Sequence, residues 1–454
     1  MSNNWPPYPP DNETELERAL RLEEEREAKR VSDEIDRGLE RERQNLRKKK
    51  IQTTILLLGQ AESGKSTLLK NFQLQYTPEA FRAESDAWRT VIQLNLVRSV
   101  NVVLGLLTRT TAGAAPPSQR LSQSKDDLRW LKMRLAPLRQ VELIYNKLLG
   151  VDIDPDFGGM AKPDEQEWDS GKLSEVSLRS NFGWQTLVGS NKERPGSRFW
   201  DELDNAQRIL AACREDILAM CENPTVQDTL KEQGIALLDE PGFFFDQADR
   251  IATIPYEPTP EDILRARLRT VGVEEHRLVM ESPPMEKGRE WVFYDVGGDR
   301  GQRATWAPYF DDVNAIMFLC PMSGFDQVLS EDRAVNRLID SMKLWKIICT
   351  SKLLENATFI LFLNKCDILK SKLESGVRFC DHIEQYKSQP NDYENVTSYI
   401  KKIFLAIHKD HSPKKRKVHV HTTCATDTEM MSTVLNSIRD VILLNVLETT
   451  NLIA

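Results

Sequence analysis

Residues 53–66 read TTILLLGQAESGKS, a run of apolar residues that ends in a loop with two glycines, a lysine and two serines. The loop at 59–66 fits the pattern G-x-x-x-x-G-K-S, and TLLKNFQ after it is typical of a helix start. In such a strand–loop–helix unit, backbone N–H groups of the loop and of the helix N-terminus bind phosphate. A glycine-rich turn with a chance lysine is the alternative, and the flanking strand and helix favour phosphate binding.

Strand-like runs recur in the second half of the chain. After residue 261, WVFYDV, NAIMFLCPM, TFILFLNKCD and KVHVHTTCA are apolar or β-branched, and helix-patterned stretches separate them. This alternation predicts an α/β fold, a doubly wound parallel sheet with helices on both faces. TTILLLG supplies its first strand.

The apolar spacing between residues 76 and 258 is helical instead, and few stretches there resemble strands. We therefore expect an all-helical domain inserted into the α/β domain. The predicted parts are a tail and charged helix at 1–50, the first part of the α/β domain at 51–75, the helical insertion at 76–258 and the second α/β part at 259–454. The charged helix has a narrow apolar stripe, which is compatible with a partner or with a solvated single helix.

Composition excludes several classes of protein. The 454 residues are 40% hydrophobic and carry a formal net charge of −8, which argues against a disordered chain and against a nucleic-acid surface over the whole molecule. Seven cysteines without a C-x-x-C pair indicate reduced thiols. The N-terminus lacks a signal-peptide pattern, and no apolar run approaches the ~20 residues of a membrane span.

Two further loops indicate which base is bound. In LNKCD, at 363–367, Asp367 can accept hydrogen bonds from the ring N–H and the exocyclic amine of guanine, an edge that adenine lacks. Asn364 can contact the other side of the ring, and the Lys365 stem can cover its face. TTCATDT, at 422–428, offers the N–H of Ala425 to the guanine carbonyl, with Cys424 and Thr426 beside it. Since each loop follows a strand, all are expected at one sheet edge.

With these motifs and DILRARLRTVG at 262–272, the chain resembles the heterotrimeric G-protein α subunit family. The resemblance covers roughly residues 51–75 and 243–454, and it is high in ESGKST, ILRARLRT, DVGG, LNKCD and TCATDT. It implies a Ras-like P-loop GTPase domain, an inserted helical domain and an N-terminal helix. It also implies GTP and GDP as ligands and Mg²⁺ as the metal ion.

The resemblance assigns roles to individual residues. Arg267 is similar to the built-in arginine that acts on the γ-phosphate, a role that the general account of phosphoryl transfer gives to this family. Ser66 and Thr270 resemble the hydroxyl ligands of Mg²⁺, and Asp295 holds the ion through water. The N–H of Gly298 senses the γ-phosphate. Lys65 reaches the outer phosphates, and the remaining implied nucleotide contacts are Glu62, Ser63, Gly64, Thr67, Leu264 and Arg265.

One departure from the family pattern concerns hydrolysis. After DVGG the family has a glutamine that orients the attacking water, and this chain has Asp299, which accepts hydrogen bonds but donates none when ionised. Ala61 stands at a loop position that is normally glycine. We therefore expect slow GTP hydrolysis. The alternatives are that Asp299 turns into solvent while Arg267 supports normal turnover, or that Gln302 substitutes for the missing amide.

The resemblance also implies partners and location. A βγ dimer would bind the N-terminal helix and the segment after DVGG, called switch II, and a seven-helix receptor would bind the C-terminus. The effector is unknown. We expect a cytoplasmic protein held at the inner face of the plasma membrane through its partners. PKKRKV at 413–418 matches a nuclear-import signal, although a surface loop is the favoured interpretation. A non-hydrolysing GTP-dependent scaffold and an ATP-using P-loop enzyme are the competing functions.

Overall fold

The computed structural model describes residues 14, 18, 26, 29–30, 36–37, 52–112, 129–149, 198–232, 242–268, 270, 272–311, 313–329, 331–387 and 389–449. The chain forms two units, Met1–Thr53 and Thr54–Ala454. In the first unit, the described residues 18, 26, 29, 30, 36 and 37 are helical. The rest of the charged helix and the C-terminus after 449 lie outside the described residues, so the predictions on them stay predictions.

A six-stranded sheet is central to the second unit. Its strands are β1 (Thr53–Gly59), β2 (Val273–Val279), β3 (Glu290–Val296), β4 (Ala315–Pro321), β5 (Thr358–Asn364) and β6 (Val418–Thr423). The order is β2-β3-β1-β4-β5-β6, and β1, β4, β5 and β6 pair in parallel. β2 pairs antiparallel with β3, and it was not among the strands predicted to lie in the parallel sheet. The connection at 280–289 is too short for the crossover that parallel strands need.

Thirteen α-helices have assigned bounds in the described part of the chain. They are α1 (Lys65–Tyr76), α2 (Pro78–Ala83), α3 (Ser85–Ala112), α4 (Leu138–Leu149), α5 (Arg198–Ala212), α6 (Arg214–Glu222), α7 (Pro224–Glu232), α8 (Ala248–Ile251), α9 (Pro260–Arg265), α10 (Arg337–Thr350), α11 (Cys366–Glu374), α12 (Tyr393–His411) and α13 (Thr428–Thr449). A 3-10 helix at Arg300–Tyr309 follows β3. The elements after β2 alternate between strand and helix as predicted.

Side chains of a strand alternate in direction, so a strand that is apolar throughout presents apolar side chains on both faces of the sheet. Helices cover both of these faces. Ile55 and Leu57 of β1 belong to a core that also contains side chains from α1 and α13. Leu56 and Leu58 belong to the opposite core, with side chains from α10 and α12. The sheet is therefore doubly wound, as the sequence pattern predicted.

The segment between α1 and β2 forms a separate helical core. Its buried apolar side chains come mainly from α3, α4, α5, α6 and the stretch 243–266. Within α3, the 23 residues Ser85–Leu107 are long and apolar enough to cross a membrane, contrary to the expectation that no run approaches this length. However, 72% of the apolar window is buried inside the protein, which is the behaviour of a core helix.

Candidate functional site

A cavity of about 370 Å³ opens where the loops after β1, β5 and β6 meet the segment around α9. These loops converge because parallel strands present their carboxyl ends at one edge of the sheet. Every residue predicted to contact nucleotide lines this cavity except Asp295, which is buried beside it. Asp299 and Ala61 also line it.

The loop after β1 has the backbone geometry of a phosphate cradle. Gly64 has a φ of 102° and precedes α1, and a Cβ there would lie 2.3 Å from Nδ2 of Asn364. Glycine is therefore required by both conformation and space. The Nζ of Lys65 donates to the carbonyls of Gly59 at 3.1 Å and Gln60 at 2.8 Å. Burial lowers the pKa of this amine, and the charges of Asp295 and Asp299 oppose that shift.

Glu62 joins the loop to two arginines. Its carboxylate accepts from Nη2 of Arg267 at 2.6 Å and from Nη1 of Arg337 at 3.0 Å. Arg337, at the start of α10, also donates to the carbonyl of Ala61 at 2.8 Å. Burial raises the pKa of Glu62, but the two guanidinium groups outweigh burial and hold it well below its usual range. The sequence pattern did not identify Arg337, because no motif places α10 beside the loop.

The three residues predicted to hold a metal ion lie together. The Oγ of Ser66 donates to Oδ2 of Asp295 at 2.7 Å and is 3.3 Å from Oγ1 of Thr270. Thr270 donates to the same Oδ2 at 3.2 Å. Oδ1 of Asp295 is buried, and no hydrogen-bond partner for it is found in the described part of the chain. Two hydroxyl groups and a carboxylate with a spare oxygen are a donor set that suits Mg²⁺.

The two loops predicted to contact the base are connected to the phosphate loop. Nδ2 of Asn364 donates to the carbonyl of Ser63 at 2.8 Å, and its Oδ1 accepts from Thr423 at 3.2 Å. The Asn364 amide thus holds the loops together. The predicted contact of Asn364 with the base is not required to explain the position of this amide. Asp367 lies in the first turn of α11, exposed on the cavity wall.

Asn71 holds the loop after β6 in place, and no sequence pattern identified it. On α1, its Nδ2 donates to the carbonyl of Ala425 at 2.7 Å and to that of Thr67 at 2.9 Å. Cys424 and Thr426 flank this carbonyl, with 3.2 Å between Sγ and Oγ1. Because no motif marks this position of α1, Asn71 could not be identified from the sequence.

Comparisons with known proteins agree with this geometry. The model of the G-protein alpha subunit family matches residues 29–442. A guanine nucleotide-binding protein alpha-4 subunit from Mycosarcoma maydis is 30% identical, over 98% of this chain and 94% of the relative. The chain belongs to the G-protein alpha subunit family. A guanine nucleotide-binding protein subunit alpha from Candida albicans (strain WO-1) is 28% identical, over 91% and 93%, and an alpha-2 subunit from Dictyostelium discoideum is 27% identical, over 92% and 94%.

In this G-protein alpha subunit, the segment after β3 lies against the phosphate loop. A Cβ on Gly298 would lie 2.1 Å from the backbone nitrogen of Ala61, so the two backbones are in close contact. Asp299 is half-buried, precedes the 3-10 helix Arg300–Tyr309 and lines the cavity. Its negative charge raises the pKa of Lys65 against the effect of burial. The Asp299 carboxylate therefore acts electrostatically on the lysine that begins α1.

Gln302, the alternative source of an amide, is engaged elsewhere. Its Oε1 accepts from the N–H of Gly272 at 3.0 Å, and its Nε2 is 3.4 Å from Oδ2 of Asp299. A Cβ on Gly297 would lie 1.7 Å from Oε1 of Gln302. The side chain is thus wedged against the backbone of Gly297 and does not line the cavity described above.

A second connection that was missed in the sequence joins the phosphate loop to switch II. Nε2 of Gln60 donates to Oδ2 of Asp340 at 2.6 Å and to the carbonyl of Arg337 at 2.8 Å. Asp340 also accepts two hydrogen bonds from Arg303, at 2.6 and 3.2 Å. Burial raises the pKa of Asp340, but the bonds from Arg303 and Gln60 outweigh it and lower the pKa. The loop, α10 and switch II therefore share one buried carboxylate.

Proposed function

We propose that this α subunit is a guanine-nucleotide switch that binds GTP and GDP with Mg²⁺ and hydrolyses GTP slowly. The family supports guanine-nucleotide binding and a signalling role. The convergence of the phosphate loop, Asp367 and the Ser66–Thr270–Asp295 cluster in one place supports the same function for this chain. The presence of Asp299 on the cavity wall supports slow turnover.

Different groups of the chain bind the phosphates, the metal ion and the base. Loop N–H groups and Lys65 bind phosphate oxygens, and the guanidinium of Arg267, which contacts Glu62 of the loop, would lie beside the same phosphates. Ser66, Thr270 and Asp295 would hold Mg²⁺, which neutralises phosphate charge when bound. Asp367 would accept from the two N–H groups of guanine. Adenine would leave this carboxylate unpaired, so the site should discriminate strongly against it.

Slow hydrolysis follows from the chemistry of Asp299. A hydrolytic water needs a group that orients it and a donor that stabilises phosphate charge. Asp299 provides no donor when ionised, and a carboxylate ~4 Å from a phosphate charge is repelled by about 4 kcal/mol at an effective dielectric of ~20. Lys65, Arg267 and Mg²⁺ would offset much of this repulsion. Gln302 offers no evident substitute, because its amide is held by Gly272 and Asp299.

Single-turnover hydrolysis tests the proposal. The protein is loaded with GTP in the absence of Mg²⁺, and addition of Mg²⁺ starts the reaction. Phosphate release is followed for wild type, Asp299→Gln and Ala61→Gly. We expect Asp299→Gln to be about 10-fold faster or more, since one well-placed donor contributes 10²–10³-fold at related sites. Asp332→Asn, in an exposed pair with Arg300, is the matched control and should match wild type. Equal rates for wild type and Asp299→Gln would contradict the proposed role of Asp299.

A non-hydrolysing GTP-dependent scaffold is the second candidate, and the same departure at Asp299 favours it. The distinction is the wild-type rate: no phosphate release above the background of free GTP would identify the scaffold. Competition with ATP tests the remaining class. Displacement of bound GDP by ATP at comparable concentration would contradict guanine recognition by Asp367.

We also propose the partners and the location. The N-terminal helix and switch II would bind a βγ dimer, the C-terminus would bind a seven-helix receptor, and these contacts would hold the protein at the inner face of the plasma membrane. Binding of purified βγ in GDP and in GTP analogue tests the first part. Nuclear import through 413–418 is disfavoured, because Arg416 donates to the carbonyls of Cys349 and Leu354 and stacks 3.7 Å from the Phe359 ring centroid. Cell fractionation of wild type tests the location.

A further inference from the structure

The backbone that carries Arg267 is held from both sides by side chains that no motif predicts. Asn95, in the middle of α3, belongs to the helical insertion. Its Oδ1 accepts from the N–H of Arg267 at 2.9 Å, and its Nδ2 lies 3.3 Å from the Arg267 carbonyl as a donor. One carboxamide therefore pairs with both polar backbone groups of a single residue, as a neighbouring strand would.

The surroundings of Asn95 favour its contact with the Arg267 backbone. Asn95 is 4% exposed, so an unpaired amide would be costly there. Gly242 closes the other side, and a Cβ there would lie 2.7 Å from Cβ of Arg267 and 3.1 Å from Oδ1 of Asn95. The N–H of Gly242 also donates to the Arg265 carbonyl at 3.1 Å. Any side chain at 242 would displace either the arginine or the amide.

The residues immediately before Arg267 are held by a second side chain. Lys70 of α1 donates to the carbonyls of Ile263 at 2.9 Å and Ala266 at 2.7 Å. α1 begins in the phosphate loop, so this lysine ties the segment to the same helix whose first residue is Lys65. The backbone from 263 to 267 is therefore fixed by one side chain from the GTPase part and one from the helical insertion.

We propose that Asn95 is a positioning residue that sets the backbone of Arg267 and so delivers its guanidinium to the phosphate end of the cavity. This inference rests on the proposed function, in which Arg267 acts during hydrolysis. An arginine side chain has many rotamers, and its terminal group is placed only as accurately as the backbone that carries it. A misplacement of about 1 Å can cost about 10²-fold in rate.

A double-mutant cycle tests this coupling. Single-turnover hydrolysis is measured for wild type, Asn95→Ala, Arg267→Ala and the double variant, each also in the Asp299→Gln background. We expect Asn95→Ala to slow hydrolysis by about 10-fold, with GDP affinity changed less than about threefold. The double variant should be no slower than Arg267→Ala alone, because Asn95 acts only through that arginine. Independent, multiplicative losses, or a wild-type rate for Asn95→Ala, would overturn the proposal.

Gln93→Ala is the matched control for a general loss of stability. Gln93 is also a buried carboxamide on α3, and its Oε1 accepts from the Tyr145 hydroxyl within the helical core. Its removal should cost similar stability and leave the hydrolysis rate unchanged. A fall in rate equal to that of Asn95→Ala would show that any weakening of α3 is sufficient, which contradicts positioning.

A readout that needs no hydrolysis separates this inference from the proposed function. Hydrogen exchange at the Arg267 amide, measured by mass spectrometry in the GDP complex, should be at least about 10-fold faster in Asn95→Ala and unchanged in Gln93→Ala. If neither background hydrolyses GTP, the proposed GTPase activity fails, and exchange alone decides whether Asn95 holds Arg267. Unchanged exchange in Asn95→Ala overturns the inference whatever the activity.

Discussion

Replacing Lys70 with methionine should remove a pH dependence from the stability of the protein. Lys70 is 5% exposed, and its amine lies 4.1 Å from the ring centroid of Trp88. Burial lowers its pKa to about 7, with the charges of Asp295 and Glu84 opposing the shift. A neutral amine still has two N–H donors, enough for the carbonyls of Ile263 and Ala266.

The direction follows from proton linkage. In the unfolded chain the Lys70 amine has a pKa of about 10.4, so between about pH 7 and pH 10 the unfolded state binds more protons than the folded state. The cost of keeping this amine buried is complete below pH 7 and decreases as pH rises. The contribution changes by at most about 1.4 kcal/mol per pH unit, or about 2 to 3 kcal/mol between pH 7.5 and pH 9.5.

Thermal unfolding of the GDP complex at about pH 7.5 and about pH 9.5 measures this contribution. The melting temperature of wild type, relative to Lys70→Met, should be higher at the upper pH by several degrees, since 1 kcal/mol corresponds to about 2–4 °C in a sizeable domain. Lys372→Met is the matched control, because Lys372 donates to the Ser323 carbonyl from a partly exposed position. The reasoning is refuted if the difference between wild type and Lys70→Met is the same at both pH values.

Two further substitutions test the site. Gln60→Ala removes two hydrogen bonds, one of them to the buried Asp340 carboxylate. It should lower the free energy of unfolding by about 2 kcal/mol in denaturant melts. The control is Gln327→Ala, which removes an exposed partner of Arg337 and should change the free energy of unfolding by less than about 0.5 kcal/mol. Asp367→Ala should weaken GDP binding, measured by calorimetry, by about 100-fold and remove the preference for GDP over ADP. The control is Asp427→Ala, which removes a helix-capping carboxylate in the neighbouring loop and should keep the preference for GDP. Retained guanine preference in Asp367→Ala would contradict base recognition at that residue.

The strands and the loops that bind ligand could be predicted because their signals are local. A buried parallel strand is a short apolar run, and the residue that follows it is fixed at the sheet edge by the chain itself. Asp295 lies near the end of β3, Asp367 and Ala425 closely follow β5 and β6, and Ser66 lies at the start of α1 after the loop that follows β1. Their convergence therefore required only that the strands pair, which the alternation with helices predicted. β2 is mostly half-exposed or exposed, so it lacks the continuous apolar run that identified the other strands.

The residues that hold those loops in place could not be predicted in this way. Asn71 and Asn95 lie in helices without a motif, and Gln60 occupies an unspecified position of the loop pattern at 59–66; their partners lie 354, 172 and 280 positions away along the chain. A buried amide has no periodic signature, because its position in a helix is also compatible with a polar surface residue. Gln302 illustrates the same limit: the sequence offered it as a substitute donor, but the backbone contacts with Gly272 and Gly297 determine where its amide lies.

The departures from the family pattern that bear on turnover lie in one part of the site. Ala61 and Asp299 flank Gly298, whose Cα is packed against the phosphate loop, whereas the metal-binding cluster and Asp367 have the residue types that guanine nucleotide and Mg²⁺ require. A change that abolished binding would be expected to alter those groups as well. Under the proposed function, a change restricted to the residues beside Gly298 would preserve nucleotide binding and lengthen the lifetime of the GTP state. Because Ala61 and Asp299 both lie beside Gly298, the proposed function predicts that their effects on hydrolysis are coupled rather than additive.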